Sequence, residues 1–279
     1  MRKTHKLYIN GAFPRSESGR VFPATDADGE VVARMAQASR KDLRDAVRAA
    51  RGAQAGWAGR TAYNRAQILY RVAEMVEDRR EAFAAHLAID GRDDADAEIE
   101  ASIDRLVWYA GWADKFPQVF GNLNPVAGPF FNISVPEATG VIGVAAPDAP
   151  PLLGLVSVVA PVIVSGNTAV VIPSERWPLT AITFAEALAT SDVPGGVVNL
   201  LTGFREELLP WLGGHMDVNG LDLDGAPAEM VGPLVDAGAE NLKRTRTTHT
   251  EDWWSDDAQS PYRIAAFTET KTVWHPKGR

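Results

Sequence analysis

Between residues 140 and 203, mostly apolar positions fall into three short runs separated by stretches with helical spacing. Residues 140–146 (GVIGVAA) are apolar throughout and end in the Pro-rich turn 147–151. Residues 152–164 are mostly apolar and long enough for a buried helix, which Ser165-Gly166-Asn167 breaks. Residues 168–172 (TAVVI) read as a short β-branched strand ended by Pro173-Ser174-Glu175. Helical spacing returns over 179–190 through Leu179, Ile182, Phe184 and Leu188, and Pro194-Gly195-Gly196 resets the chain before a third buried strand at 197–201. Strands apolar on both faces and alternating with helices predict a doubly wound α/β fold, a parallel sheet covered by helices.

The flanking pattern is different. Residues 6–13 (KLYINGAF) read as a strand with a hairpin turn at Asn10-Gly11, and 21–25 and 30–36 as further short strands. Ser39 with Asp42 has capping-box spacing and opens a helix over 41–53. Thr61 caps a longer helix to about residue 89, apolar at Ile68, Leu69, Val72, Met75, Val76, Phe83 and Leu87, which Asp90-Gly91 stops. A helix over 95–112, a loop over 121–129 and an alternating strand over 130–136 (FFNISVP) lead into the central unit. After it come a helix at 206–212, a weak strand at 220–223 and a helix at 228–239. Residues 245–261 are polar and charged with no period, which predicts a linker, and the β-rich YRIAAFTETKTVW at 262–274 follows.

Composition removes several classes of function. Among 279 residues, 28 basic side chains against 36 acidic ones leave a net charge of −8, with no basic stripe to neutralise phosphates, so nucleic acid is excluded as a partner. The chain has no cysteine, hence no disulfide, thiolate metal site or thiol nucleophile of its own. The first residues carry no apolar h-region, and no 18-residue apolar span exists, so the expectation is a cytoplasmic protein without membrane contact. The five histidines (His5, His86, His215, His249, His275) are dispersed and make no metal spacing. Glu251-Asp252 and Asp256-Asp257 read as solvated charge rather than an acid–base pair. Trp253-Trp254 either anchors an interface or folds back over the sheet edge, and the sequence leaves both open.

Several pieces then occur in one order: Tyr8-Ile9-Asn10-Gly11, Gly140–Val144, Ser165-Gly166-Asn167-Thr168, Pro173-Ser174-Glu175, the run 194–203, and Asn241-Leu242-Lys243-Arg244. Together they resemble the aldehyde dehydrogenase superfamily, and the closing FTETKTVWHP resembles that family's C-terminal oligomerisation strand. The resemblance covers 6–244 and 262–276. It implies an NAD-binding-like domain made of 1–129 and 141–244, an oligomerisation arm made of 130–140 and 262–276, and a linker, 245–261, standing in place of the catalytic domain.

The departures from the family pattern concern chemistry. In the family, Asn-Leu-Lys-Arg leads into Glu-Leu-Gly-Gly and a catalytic domain bearing the cysteine nucleophile; here Arg244 passes into residues 245–261. Ala149 stands where the family has the Asn whose amide donates to the oxyanion, and loss of one such donor typically costs about 10²–10³ in rate. Ile172 stands where a Lys holds the adenosine ribose, so Glu175, with Ser174 and Pro173, is the remnant of the cofactor-binding motif. Leu223-Asp224-Gly225-Ala226-Pro227 replaces the Phe-Thr-Gly-Ser loop, and Asp224 sets a negative charge where a helix N-terminus would attract pyrophosphate. The resemblance therefore implies a non-catalytic subunit with no cofactor, or NAD only weakly held. It would be the structural or regulatory partner of a full-length aldehyde dehydrogenase, docked through Phe130, Phe131, Ile133, Phe267, Lys271, Val273 and Trp274. A homo-oligomer is the competing arrangement. A residual NAD-binding module, or a weak NAD-dependent oxidoreductase, is the alternative function.

Overall fold

The structure is a computed structural model that describes residues 3–90 and 92–278. Part of the expected Asp90-Gly91 stop thus lies outside the described residues. Strands β1 (Thr4–His5), β2 (Val21–Thr25) and β3 (Val31–Ala36) form a small sheet in the order β1-β3-β2. The expected strand over 6–13 is reduced to isolated bridges, Tyr8 with Leu200 and Ile9 with Ala12, around a turn with positive φ at Asn10 and Gly11. Helix α1 (Arg40–Ala58) starts with the anticipated capping box: the Ser39 side chain accepts from the Lys41 and Asp42 amides, and Asp42 accepts from the Ser39 amide. The single helix expected from Thr61 is two, α2 (Ala62–Asp78) and α3 (Arg80–Leu87), because Arg79 leaves helical geometry at φ −104°, ψ 17°.

Helices α4 (Ala95–Trp112) and α5 (Lys115–Phe120) precede β4 (Asn122–Asn124), a strand in what reads as a loop, and β5 (Phe130–Ala138). The alternating unit follows: β6 (Val141–Ala145), α6 (Leu153–Val164), β7 (Thr168–Ile172), α7 (Pro178–Ala189), β8 (Val198–Leu200), α8 (Arg205–Gly213), β9 (Gly220–Asp222), α9 (Ala228–Ala239) and β10 (Arg244–Arg246). These five strands pair in parallel in the order β10-β9-β6-β7-β8. The double winding is visible residue by residue. Ile142, Val144, Ala169 and Val171 enter one core with α2, α4, α6 and α7; Val141, Ala145, Val170 and Ile172 enter the other with α1, α8 and α9. Helix α6 has no cap of its own. The buried Glu98 carboxylate of α4 serves instead, accepting from the Leu152 and Leu153 amides at 2.6 and 3.1 Å and pairing with Arg92 at 2.5 Å.

The segment expected to be a linker is packed structure. Residues 244–246 extend the central sheet as β10, and Trp253 and Ala258 are buried in the larger core. Arg105 donates to the Trp253 carbonyl at 3.0 Å. Of the tryptophan pair, Trp253 folds back and Trp254 stays exposed. Periodicity cannot detect such a segment, because it contributes single anchors rather than a face. Helix α10 (Pro261–Ala265) then leads into β11 (Thr268–Pro276).

Strand β11 pairs antiparallel with β5 over its whole length, from Thr268 opposite Ala138 to Pro276 opposite Phe130, and β4 flanks β5 on the other side. This is the pairing anticipated between the arm's two pieces. Phe267 is a correction: it is 1% exposed and packs in the main core, where its carbonyl accepts from the Asn167 side chain at 2.7 Å. It anchors the arm to the body and cannot contact a partner.

Candidate functional site

In an open doubly wound sheet, ligands bind outside the carboxyl ends of the strands, where the strand order reverses. Here the order reverses between β6 and β9. The surrounding groups are Asp148 after β6, Ser174 and Glu175 after β7, Arg205 at the start of α8, and Asp222 and Asp224 at the end of β9.

On the β6–β7 side these groups bond to one another. Ser174 Oγ donates to Asp148 Oδ1 at 2.9 Å, and the Glu175 amide donates to the same oxygen at 3.1 Å. Arg205 is 7% exposed; it donates through Nη1 to Asp148 Oδ2 at 2.7 Å and through Nη2 to the Ala146 carbonyl at 2.5 Å. Its backbone amide donates to the Glu175 carboxylate. Glu175 thereby sits as an anion at the first amide of α8, a helix with no side-chain cap of its own residues, where a negative charge is favourable.

On the β9 side, Asp224 is fully buried rather than aimed at solvent. Its carboxylate accepts from Arg246 at 2.6 Å, Arg263 at 3.0 Å, and the Thr250 amide and hydroxyl at 2.7 Å each. Burial alone would push this carboxyl up, but the Thr250 hydrogen bonds and Arg246 outweigh it and hold the group below the usual carboxylate range. Neighbouring Asp222, also buried, accepts from Arg246 at 3.3 Å and is pushed up by burial despite Arg246 and Arg263. The expectation that Asp224 presents a bare charge at a helix N-terminus is therefore corrected: residues 246, 250 and 263 neutralise it from the segment read as linker and from α10.

Close packing leaves little space between these two sides. A Cβ on Gly225 would stand 2.3 Å from the Ala146 carbonyl, and a Cβ on Gly213 would stand 2.7 Å from Leu234 Cδ2, so the β6 and β9 loops touch and α8 lies directly on α9. Ile172, the position matched to a ribose-holding Lys, is buried among Leu201, Leu208, Leu209 and Leu212. Among the described residues, no group of three or more His, Asp or Glu side chains could hold a metal ion.

The sequence profile of the aldehyde dehydrogenase family matches residues 14–247. The chain belongs to the aldehyde dehydrogenase family. It is 35% identical over 252 residues to retinal dehydrogenase 2 of Gallus gallus, covering 87% of this chain and 48% of that protein. It is 30% identical over 251 residues to the putative aldehyde dehydrogenase DhaS of Bacillus subtilis strain 168, covering 88% and 50%. The structure superposes on an aldehyde dehydrogenase from Bacillus cereus, solved as an NAD+ complex, with a TM-score of 0.82 at 28% identity; 87% of this chain covers 50% of that one. This family member thus spans about half the length of the curated relatives it matches.

Of the three cofactor-motif residues, Pro173 and Ser174 are buried and Glu175 half-buried, and the polar side chains of Ser174 and Glu175 are committed within the chain. The arm residues divide between two faces. Directly opposed residues share a face, which groups Ile133 with Val273 and Leu123, and Val135 with Lys271. With Phe131 they form an exposed apolar face on which Lys271 pairs with Glu137 at 3.3 Å. Trp274 and Phe130 lie on the other face in edge contact at 5.7 Å, alongside buried Asn132 and Ser134. The residues that sequence reasoning missed are Arg205, Arg246, Thr250 and Arg263. The available signal was unpaired chemistry: arginines in otherwise apolar or loop contexts close to Asp148 and Asp224 in the fold but distant in sequence.

Proposed function

We propose that this chain is a non-catalytic aldehyde dehydrogenase-like subunit that holds no dinucleotide. Its role is structural or regulatory, as partner of a full-length aldehyde dehydrogenase in the cytoplasm. The observation that carries the reading is the arm: a nine-residue strand, β11, with one edge unpaired among the described residues, beside an outward apolar face of Leu123, Phe131, Ile133, Val135 and Val273. Such a face and edge left in water favour association. The chain itself holds no cysteine to form the thiohemiacetal and carries Ala149 at the oxyanion position, which supports a non-catalytic role. The internal commitments of Glu175, Ser174 and Arg205 support the loss of NAD and speak against a residual oxidoreductase. The test is light scattering on the chain alone and co-expressed with co-encoded full-length dehydrogenases. A stable mixed complex is expected; a monodisperse homo-oligomer that takes up none of them would overturn the reading. Aldehyde oxidation by the purified chain with NAD or NADP would overturn its non-catalytic part.

A further inference from the structure

We infer that Arg205 is a built-in occupant of the crevice at the carboxyl ends of β6 and β7, and that removing its side chain reopens a site for the ribose of a dinucleotide. The inference deepens the proposed loss of dinucleotide binding and does not depend on any partner. In doubly wound folds sugar hydroxyls are recognised by acceptors beyond the carboxyl ends of the strands. The acceptors here are the Ala146 carbonyl and the carboxylates of Asp148 and Glu175. Each already takes a proton donor from residue 205: Nη2 on Ala146, Nη1 on Asp148, and the backbone amide on Glu175. At Ala146 and Asp148 the guanidinium thus supplies N–H groups where hydroxyl donors would bind.

The occupancy is tight. The Arg205 side chain is almost wholly buried, and its Nε has no hydrogen-bond partner among the described residues, so the side chain is held there at the expense of one unsatisfied donor. A ligand hydroxyl competing for Asp148 would take from the buried guanidinium its one carboxylate partner. Beside the Ala146 carbonyl the wall is backbone: Gly225 lies against Ala146 and Pro147. Loss of the Arg205 side chain therefore frees its volume, the Ala146 carbonyl and Asp148 Oδ2, while Glu175 keeps the backbone amide of residue 205. Asp148 is 44% exposed, so the freed volume is reached from solvent along the Asp148 side.

The experiment titrates the intact chain with NAD+ and with ADP-ribose, by calorimetry and by thermal shift, for the native protein and for Arg205→Ala. The native chain is expected to show no saturable heat and no rise in Tm. Arg205→Ala is expected to show both, with affinity at least about tenfold above the native detection limit. Arg205→Lys keeps a cation but cannot hold Ala146 and Asp148 together, and is expected to bind more weakly than the alanine variant yet detectably. Saturable binding by the native chain overturns the inference, and so does a folded Arg205→Ala as silent as native. Should Arg205→Ala fail to fold, the same criteria apply to Arg205→Lys. None of these outcomes bears on the partner reading, which light scattering decides separately.

Discussion

Replacing Arg263 by alanine tests whether residues 244–267 are a folded closure or a loose tether. The perturbation acts on a buried charge. Asp224 loses one of two arginines and keeps Arg246 at 2.6 Å and two bonds from Thr250 at 2.7 Å. Removing one partner of a buried ion pair typically costs about 3–5 kcal/mol; the surviving partners put this case at the lower end. The Arg263 guanidinium also lies 5.0 Å from the Trp253 ring, an interaction worth about 0.5–2 kcal/mol. A loss of roughly 3 kcal/mol is expected. Asp224→Asn keeps the shape but removes the charge, leaving Arg246 and Arg263 to face Asp222 alone, and should cost about 2–4 kcal/mol. Because the two residues touch, the double variant should be less destabilised than the sum of the singles, by about 1.5–3 kcal/mol. Urea unfolding followed by tryptophan fluorescence measures all four proteins. At the usual slopes of about 1–3 kcal/mol/M, the Arg263→Ala midpoint should fall by about 1 M or more with little change in slope. The acid limb gives a second reading. The folded Asp224 carboxyl titrates below its unfolded value of about 3.9, so its contribution is complete above that value and is lost as pH falls through the folded one. Asp224→Asn should flatten the stability profile below about pH 4. Single-variant costs under about 0.5 kcal/mol, or strict additivity, would refute the reasoning and return the segment to a tether.

Trp253→Ala removes a nearly buried indole from the main core and should cost about 3–5 kcal/mol in urea unfolding, against a few tenths for Trp254→Ala at the exposed position. Lys271→Glu breaks an exposed pair with Glu137 and places like charges together on the arm, so fold stability should change by less than about 1 kcal/mol while the mass of any complex seen by light scattering falls; an unchanged complex would remove the outer arm face from the interface. His5 is pushed down to about 4, by burial first and then by Lys3 and His86, below its unfolded value of about 6.5, so stability should decline as pH falls from 6.5 to 4, and His5→Gln should remove that part of the slope.

The sequence by itself determined the alternating core. Predominantly apolar runs at 140–146, 168–172 and 197–201 with helical stretches between them admit a parallel sheet covered on both faces, because a strand buried on both sides shows no apolar–polar alternation. Ser39 with Asp42 announced the start of α1, since a capping box is a local bond pattern readable over four residues. The arm was legible because β5 alternates, the closing segment is β-rich, and that segment resembles the family's C-terminal strand. Phe267 was not: a lone aromatic next to a strand looks alike whether it faces a partner or plugs the core, and only the path of the chain into β11 puts it beside Gly220 and Asn167. The charges were the least legible. Asp224 read as repulsive to a phosphate because its neutralising partners lie 22 and 39 residues away, and the partner of Asp148 lies 57 residues away. Coulomb interactions depend on distance in space, and no local pattern records which arginine will arrive. Tertiary structure decided that these carboxylates are internal cement, that Glu175 caps α8, and that residues 244–261 are part of the fold.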